Sequence, residues 1–316
     1  MSSSGGHVCG FRHEAFFYSD ADDLLAGAIP FLRAGIEAGE SILVAMPAPR
    51  LQLLRGELNG EAASVQFVPM EDLGRNPARI ISAWRDFLGA HLGDGDGVRG
   101  IGEPIWAGRS SAELEECERH EALLNLAFAD SPAWSLLCPY NAAELDDRVL
   151  RAAEQNHPRL SGAGGDRASE TYADPLQGGG PFAGCLDAPA EVLAERSFRR
   201  EQLAELRHLL AEHAGRAGLD SARVSHLVLA ADEVATNSLL YGGGRGTLQI
   251  WREDGGVGCD IRDEGRIEQP LVGRRRPAPE EVGGRGIWLA NQLCDLVQIR
   301  STPSGTLVRL RMSTRA

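Results

Sequence analysis

Glu233 and Asn237 stand four residues apart in the run Asp232-Glu233-Val234-Ala235-Thr236-Asn237. On a helix that spacing sets a carboxylate and a carboxamide on one face, one turn apart. Such a pair suits a magnesium–phosphate group, because Mg²⁺ takes hard oxygen ligands and keeps several waters. Taken alone, it is also what an ordinary solvated helix face carries. Two further pieces give it context. Asp263-Glu264-Gly265 follows an apolar strand-like run at 257–261. An ionised Asp there is an acceptor-only group, and Gly265 allows a turn and the close approach of a ligand. Gly283-Gly284-Arg285-Gly286 opens the helical pattern Ile287-Trp288-Leu289-Ala290. A glycine turn at a helix start presents free backbone N–H groups and the positive end of the helix dipole to phosphate.

In this order, with Gly305-Thr306 in the final strand pair, the pieces resemble the nucleotide site of the GHKL ATPases. The short segment between the last two resembles most the anti-sigma-factor serine-kinase branch of that superfamily. The resemblance implies ATP and Mg²⁺ as cofactors. It implies Glu233 as the general base, Asn237 as the Mg²⁺ ligand and Asp263 as the acceptor for the adenine amino group. Gly265, Gly284, Arg285 and Gly286 would line the nucleotide, and the Thr306 hydroxyl would support the adenine–Asp263 contact. The family usually has a second glycine two residues after the one matching Gly265; here Ile267 stands in that place.

The elements that must position these residues follow from apolar periodicity. A helix over 221–241 carries Glu233 and Asn237, with Leu227, Val228, Ala231, Val234 and Ala235 on the neighbouring stripe. A helix over 199–217 precedes it. Strands are expected at 247–253, 257–261, 296–301 and 307–312, and a short helix at 287–293. The resemblance makes this domain, 186–316, a two-layer α/β sandwich with helices on one face of a mixed sheet. The first half alternates instead: strands near 15–18, 41–46, 65–69, 98–105 and 134–138, each followed by a helix. Repeated strand–helix units imply a three-layer, mostly parallel α/β domain over 6–160. Between them, 161–185 is rich in Gly, Pro, Ser and Asp, including Gly178-Gly179-Gly180-Pro181, and is expected to be a flexible linker.

Composition narrows the function classes. A chain of 316 residues is expected to hold two domains, and its net charge of −13 argues against nucleic acid as a general partner. All 32 basic Lys+Arg residues are arginine. That removes a Walker A loop and lysine Schiff-base chemistry. No apolar run has the length of a membrane span, and a cytoplasmic location is expected. Six scattered cysteines form no Cys-x-x-Cys pair, which argues against a zinc site or a disulfide framework. His7 with Cys9 offers two metal-ligand types at a terminus expected to fray.

In the first half, His13-Glu14-Ala15-Phe16-Phe17-Tyr18, Gly35-Ile36-Glu37-Ala38-Gly39-Glu40, Gly102-Glu103 with Trp106, and Cys138-Pro139-Tyr140-Asn141 resemble the MEDS sensory domain. That resemblance implies a small-molecule ligand. His13, Glu103, Trp106 and Tyr140, all at or near expected strand ends, are its candidate contacts, since open α/β sheets bind ligands at the carboxyl ends of strands. The combined expectation is a bacterial signalling regulator gated by its sensory half. It would phosphorylate Ser or Thr of an anti-anti-sigma-type partner and also sequester a sigma factor, and a homodimer is compatible with that role. Two alternatives stay open: a sensor histidine kinase using His208 or His213, and an ATP-binding regulatory module without phosphotransfer.

Overall fold

The computed structural model describes residues 10–92, 97–162, 165–176, 180–253, 255–278 and 284–314. The chain divides into two compact units, 1–177 and 178–316.

The first unit is built on β1 (Phe11–Tyr18), β2 (Ser41–Met46), β3 (Val65–Pro69), β4 (Val98–Gly102), β5 (Trp134–Asn141), β6 (Arg159–Ser161) and β7 (Arg167–Ala168), in the order β3-β2-β4-β5-β1-β6-β7. All pairs are parallel except β6 with β7. Parallel strands covered on both faces must be apolar throughout, and Ile42 to Met46 are all buried. On one face α1 (Ala21–Glu37) and α2 (Ala48–Leu58) close a core that includes Phe16, Leu24, Leu32, Val44, Leu54 and Leu137. Following α3 (Met70–Leu73), α4 (Ile80–His91) and α5 (Ser111–Ala127) cover the other face. There Trp84 of α4 lies 5.6 Å from Trp134 of β5, and Glu121 of α5 meets His13 of β1. The sequence dictates where the long helices start. Asp20 caps α1 through Asp23 N–H, and Ser110 with Glu113 forms a capping box on α5. After β5 comes α6 (Asp147–Asn156).

The stretch expected to begin a flexible linker at 161 is in part fastened to this unit. β7 pairs with β6, the Ser169 hydroxyl donates to Glu154 O at 2.6 Å, and Ala173 N–H donates to Gln155 O at 2.9 Å. Both β7 residues are exposed, so no apolar alternation marks the strand in the sequence.

The second unit holds β8 (Glu191–Phe198), α7 (Leu203–Arg216), α8 (Ser221–Tyr241), β9 (Gly246–Glu253), β10 (Gly256–Asp263), α9 (Arg285–Leu293), β11 (Leu296–Thr302) and β12 (Gly305–Ser313). Its sheet runs β11-β12-β10-β9-β8. Every pair is antiparallel, so the expected mixed sheet is corrected to an antiparallel one. Two-residue connections join β9 to β10 and β11 to β12, and connections that short permit only antiparallel neighbours. The three helices share one core with the sheet face that carries Ile250, Cys259, Ile261, Val308 and Leu310. On the opposite face Asp260 is fully buried and ion-paired to Arg309, with Trp251 Nε1 donating to it at 3.1 Å. Asp260 and Arg309 are direct cross-strand partners on β10 and β12.

Candidate functional site

Asp220 caps α8 by accepting the Arg223 N–H at 2.8 Å. The helix then buries Leu227, Ala230, Ala231, Val234, Ala235 and Ser238 along one stripe. Glu233 and Asn237 flank that stripe and are half-buried. The start of α9 packs against them. Gly284 takes a left-handed φ of +77° as its N-cap, and two residues on Gly286 is buried on α8. A Cβ added to Gly286 would come within 2.9 Å of Asn237 Nδ2 and 3.0 Å of Glu233 Oε2. The absent side chain lets the glycine turn and the polar pair, 50 residues apart in sequence, share one place. Gly283 lies outside the described residues, as do 279–282 of the short lid segment. The Arg285 side chain is exposed, with Nη2 3.3 Å from Ala278 O.

Asp263 ends β10 and is paired in register with Thr306 of β12. Its carboxylate is held on both oxygens. Oδ1 accepts from Gly265 N–H at 2.7 Å and Oδ2 from the Ser238 hydroxyl at 2.6 Å. Glycine is required on two sides of this group. A Cβ on Gly242 would fall 2.4 Å from Asp263 Cγ, and one on Gly265 would fall 2.7 Å from Tyr241 O. The Thr306 hydroxyl donates to Gly265 O at 2.9 Å, so it fixes the turn after Asp263 rather than touching the carboxylate. Ile267, where a second glycine was expected, sends its N–H to Ser301 Oγ at 2.8 Å and packs its side chain on the core.

A cleft of about 340 Å³ opens between these elements. Asn237, Asp263, Gly265, Gly284 and Thr306 contribute to its walls, and Val234, Ile267, Ile287 and Val308 supply apolar surface. Glu233, Arg285 and Gly286 are not among its lining residues. A wider cleft of about 550 Å³, lined by Arg199, Gln202, Arg245 and Glu264 among others, shares Asp263 but includes neither the polar pair of α8 nor the glycine turn. Ser238, Ser301 and Gly242 were not singled out from the sequence. Ser238 follows Asn237 directly, and a small hydroxyl on the buried stripe was its available signal.

The sensory candidates of the first unit fall into separate groups. Glu103 follows the carboxyl end of β4, is fully buried, and accepts from the Tyr18 hydroxyl at 2.9 Å and from Arg50. Burial pushes its carboxyl up to about 8 against the pull of Arg50. Trp106 lies under the Arg109 guanidinium, 4.0 Å from ring centre to Cζ. His13 is the third residue of β1, near its amino end, which corrects its expected place beside the carboxyl ends. It is buried with Glu121, Asn125, Cys138 and His157, and Tyr140 stands edge-on to His157 at 5.6 Å. Burial, and then the neighbouring His157, lowers His13 to about 4. Glu121 and His157 carried no sequence signal, because their partners are more than a hundred and about thirty-five residues distant along the chain.

Residues 12–158 match the family model of the MEDS domain, the methanogen/methylotroph DcmR sensory domain. Residues 197–312 match that of the histidine kinase-like ATPase domain. No curated protein matches the chain. Among solved structures, the RsbU and RsbW domains of Rv1364c from Mycobacterium tuberculosis match at 16% identity and a TM-score of 0.29, over 38% of this chain. The chain covers 32% of that structure's length. Among the described residues no helix is long and apolar enough to cross a membrane.

Proposed function

For a chain that joins a MEDS domain to a histidine kinase-like ATPase domain, we propose an ATP-Mg²⁺-dependent serine/threonine protein kinase of the anti-sigma-factor type. Its substrate is an anti-anti-sigma-type partner, it also sequesters a sigma factor, and the sensory half gates it. The observation that carries this reading is the convergence of Asn237, Asp263 and Gly284 on one cleft, with Gly286 packed against Asn237 and against Glu233 a helical turn before it.

The residues present fit a nucleotide. Any side chain at 286 would fill the space beside Glu233 and Asn237. The start of α9 offers backbone N–H groups to phosphate. Asp263, with both oxygens oriented by Ser238 and Gly265, keeps lone pairs for an exocyclic amino group. Val234, Ile267 and Val308 give a base an apolar surface. Asn237 would hold Mg²⁺, which when bound neutralises phosphate charge. Glu233 would accept the proton of the attacking hydroxyl, and the remaining catalysis would come from positioning.

Incubating the full chain with γ-labelled ATP and candidate anti-anti-sigma-type proteins tests the reading. Label on a partner Ser or Thr is expected. Acid-labile label on this chain would instead mark a histidine kinase. That outcome is disfavoured because α7, which carries His208 and His213, belongs to the domain core through Leu206, Leu210 and Ala214. Nucleotide binding without transfer would leave a regulatory binding module. Glu233→Gln should keep ATP affinity and lose roughly 10²-fold or more in transfer; unchanged transfer would remove Glu233 as the base.

A further inference from the structure

We propose that the first unit holds one divalent transition-metal ion of the zinc class, bound by His13, Glu121, Cys138 and His157. The inference is independent of the nucleotide reading. The four side chains come from β1, α5, β5 and the residue after α6, and all are buried. Each offers one ligand atom, and these atoms lie within 4.8 Å of one another.

The hydrogen bonds around the cluster assign its lone pairs. Asn125 Nδ2 donates to Asn156 O at 2.7 Å, which turns Asn125 Oδ1 toward His13 Nδ1 at 3.1 Å. His13 therefore carries its proton on Nδ1. His157 Nδ1 lies 2.8 Å from Ala153 O, a pure acceptor, so it too is protonated on Nδ1. As neutral rings, both then present bare Nε2 atoms, each 3.2 Å from the same Glu121 Oε2. Two nitrogen lone pairs and a carboxylate oxygen facing one another repel unless a proton or a metal cation lies among them. A ring fixed by its Nδ1–H on a carbonyl, with Nε2 aimed inward, is how metal-binding histidines are oriented.

A metal-free arrangement leaves groups unsatisfied. The Cys138 thiol can donate to His13 Nε2, 3.4 Å away. Glu121 Oε1, and His157 Nε2 while that ring is neutral, still have no hydrogen-bond partner although fully buried. Protonating one ring lets its Nε2–H donate to Glu121 Oε2 but still leaves Oε1 bare, and protonating both would bury two positive charges against one carboxylate. Two neutral imidazoles, one carboxylate and one thiolate instead sum to −2, and a dication makes the buried site neutral. Binding then displaces the Cys138 thiol proton to solvent as the metal–sulfur bond forms.

The separations fit a small tetrahedral site. Zinc bonds of about 2.0–2.2 Å to N and O and about 2.3 Å to S place neighbouring ligand atoms roughly 3.3–3.6 Å apart. Three of the six separations are 3.2, 3.2 and 3.4 Å, and all six lie within 4.8 Å, so a bound ion would draw the more distant pairs in. Mixed N, O and S donors select zinc-like ions over Mg²⁺ or Ca²⁺.

The test uses the full chain, stripped with a chelator and titrated with Co²⁺ and, separately, Zn²⁺. One equivalent of Co²⁺ should give intense visible bands of a tetrahedral site and a near-ultraviolet sulfur-to-cobalt band, and one equivalent of Zn²⁺ should abolish both. Cys138→Ser should lose the sulfur band, and His157→Gln should weaken Zn²⁺ affinity at least tenfold. Thermal unfolding of the apo variants shows whether each is folded. Absence of stoichiometric Co²⁺ and Zn²⁺ binding by the folded wild-type chain would overturn the site. So would a sulfur band that persists in folded Cys138→Ser, since it would place the metal on another cysteine.

Discussion

Replacing Asp263 by Asn tests the base-recognition half of the proposed nucleotide site at nearly constant volume. Both carboxylate oxygens are committed, Oδ1 to Gly265 N–H and Oδ2 to the Ser238 hydroxyl. The asparagine can satisfy its surroundings in one orientation only. Its carbonyl must take the Gly265 N–H, because an NH₂ there would face another donor. Its NH₂ then faces Ser238, whose hydroxyl can turn to accept from it and donate to Val234 O, 3.3 Å away. Two charge-assisted bonds become neutral ones, a loss of about 1–2 kcal/mol in stability. The adenine amino group loses its ionised acceptor and meets a donor beside it, a loss of about 1.5–3 kcal/mol in ATP binding. That corresponds to roughly 10- to 150-fold weaker ATP binding. GTP, with a carbonyl where adenine has its amino group, should weaken less or improve. Titration of the wild type and Asp263→Asn with ATP and GTP reads the ratio directly, with thermal unfolding as the control for fold. Equal ATP and GTP affinities in the wild type, or an unchanged ratio in a folded variant, would refute the assignment.

Asn237→Ala should leave the fold intact and remove the Mg²⁺ dependence of ATP affinity, measured by titration with and without the metal; an unchanged Mg²⁺ dependence would take Asn237 out of the site. Gly242→Ala inserts a Cβ 2.4 Å from Asp263 Cγ, so it should displace the carboxylate and weaken ATP binding at least tenfold, at an overpacking cost of about 1–3 kcal/mol read in unfolding. Binding as tight as in the wild type would show that Asp263 is not needed where it stands. Burial disfavours the charge of Glu103 and pushes its carboxyl from the ordinary 4.5 up to about 8 in the folded unit. Native Glu103 therefore holds its proton where the unfolded chain has lost it, and stability falls as pH rises from about 4.5 to 8. Glu103→Gln should flatten that slope in denaturant unfolding at pH 6 and pH 8; an unaltered slope would assign the titration elsewhere.

The pieces of the candidate site in the second unit were legible because each is local. Glu233 and Asn237 share one helix, Asp263 and Gly265 one turn, and Gly284 to Gly286 one helix start. What could not be read was the fit between them: that Gly286 must lack a side chain to admit Glu233 and Asn237, or that Ser238 would orient Asp263. Those facts depend on how α8, α9 and β10 pack, not on any one segment's pattern. The strand–helix alternation of the first unit likewise gave its layers, while β6 and β7, three and two residues long, fell below any detectable period. Glu121 and His157 stayed hidden for a related reason. A charged residue on a helix reads as surface until the sheet beneath it is known to hold a histidine.

The ion pair on the far face of the second sheet bears on how the chain finds its alignment. Sliding β12 by two residues against β10 would preserve which side chains face the helices, so apolar patterning alone does not forbid it. A slip in one direction sets Leu307 opposite Asp260 and carries Arg309 away, leaving the fully buried carboxylate with Arg262 but without its direct cross-strand partner; a slip in the other direction brings Arg311 opposite it instead. Breaking such a pair typically costs about 3–5 kcal/mol. Three residues along the same ladder, the correct alignment is also what sets Thr306 opposite Asp263. A charge with no place in the cleft thus disfavours one of the misaligned sheets in which the cleft would never assemble.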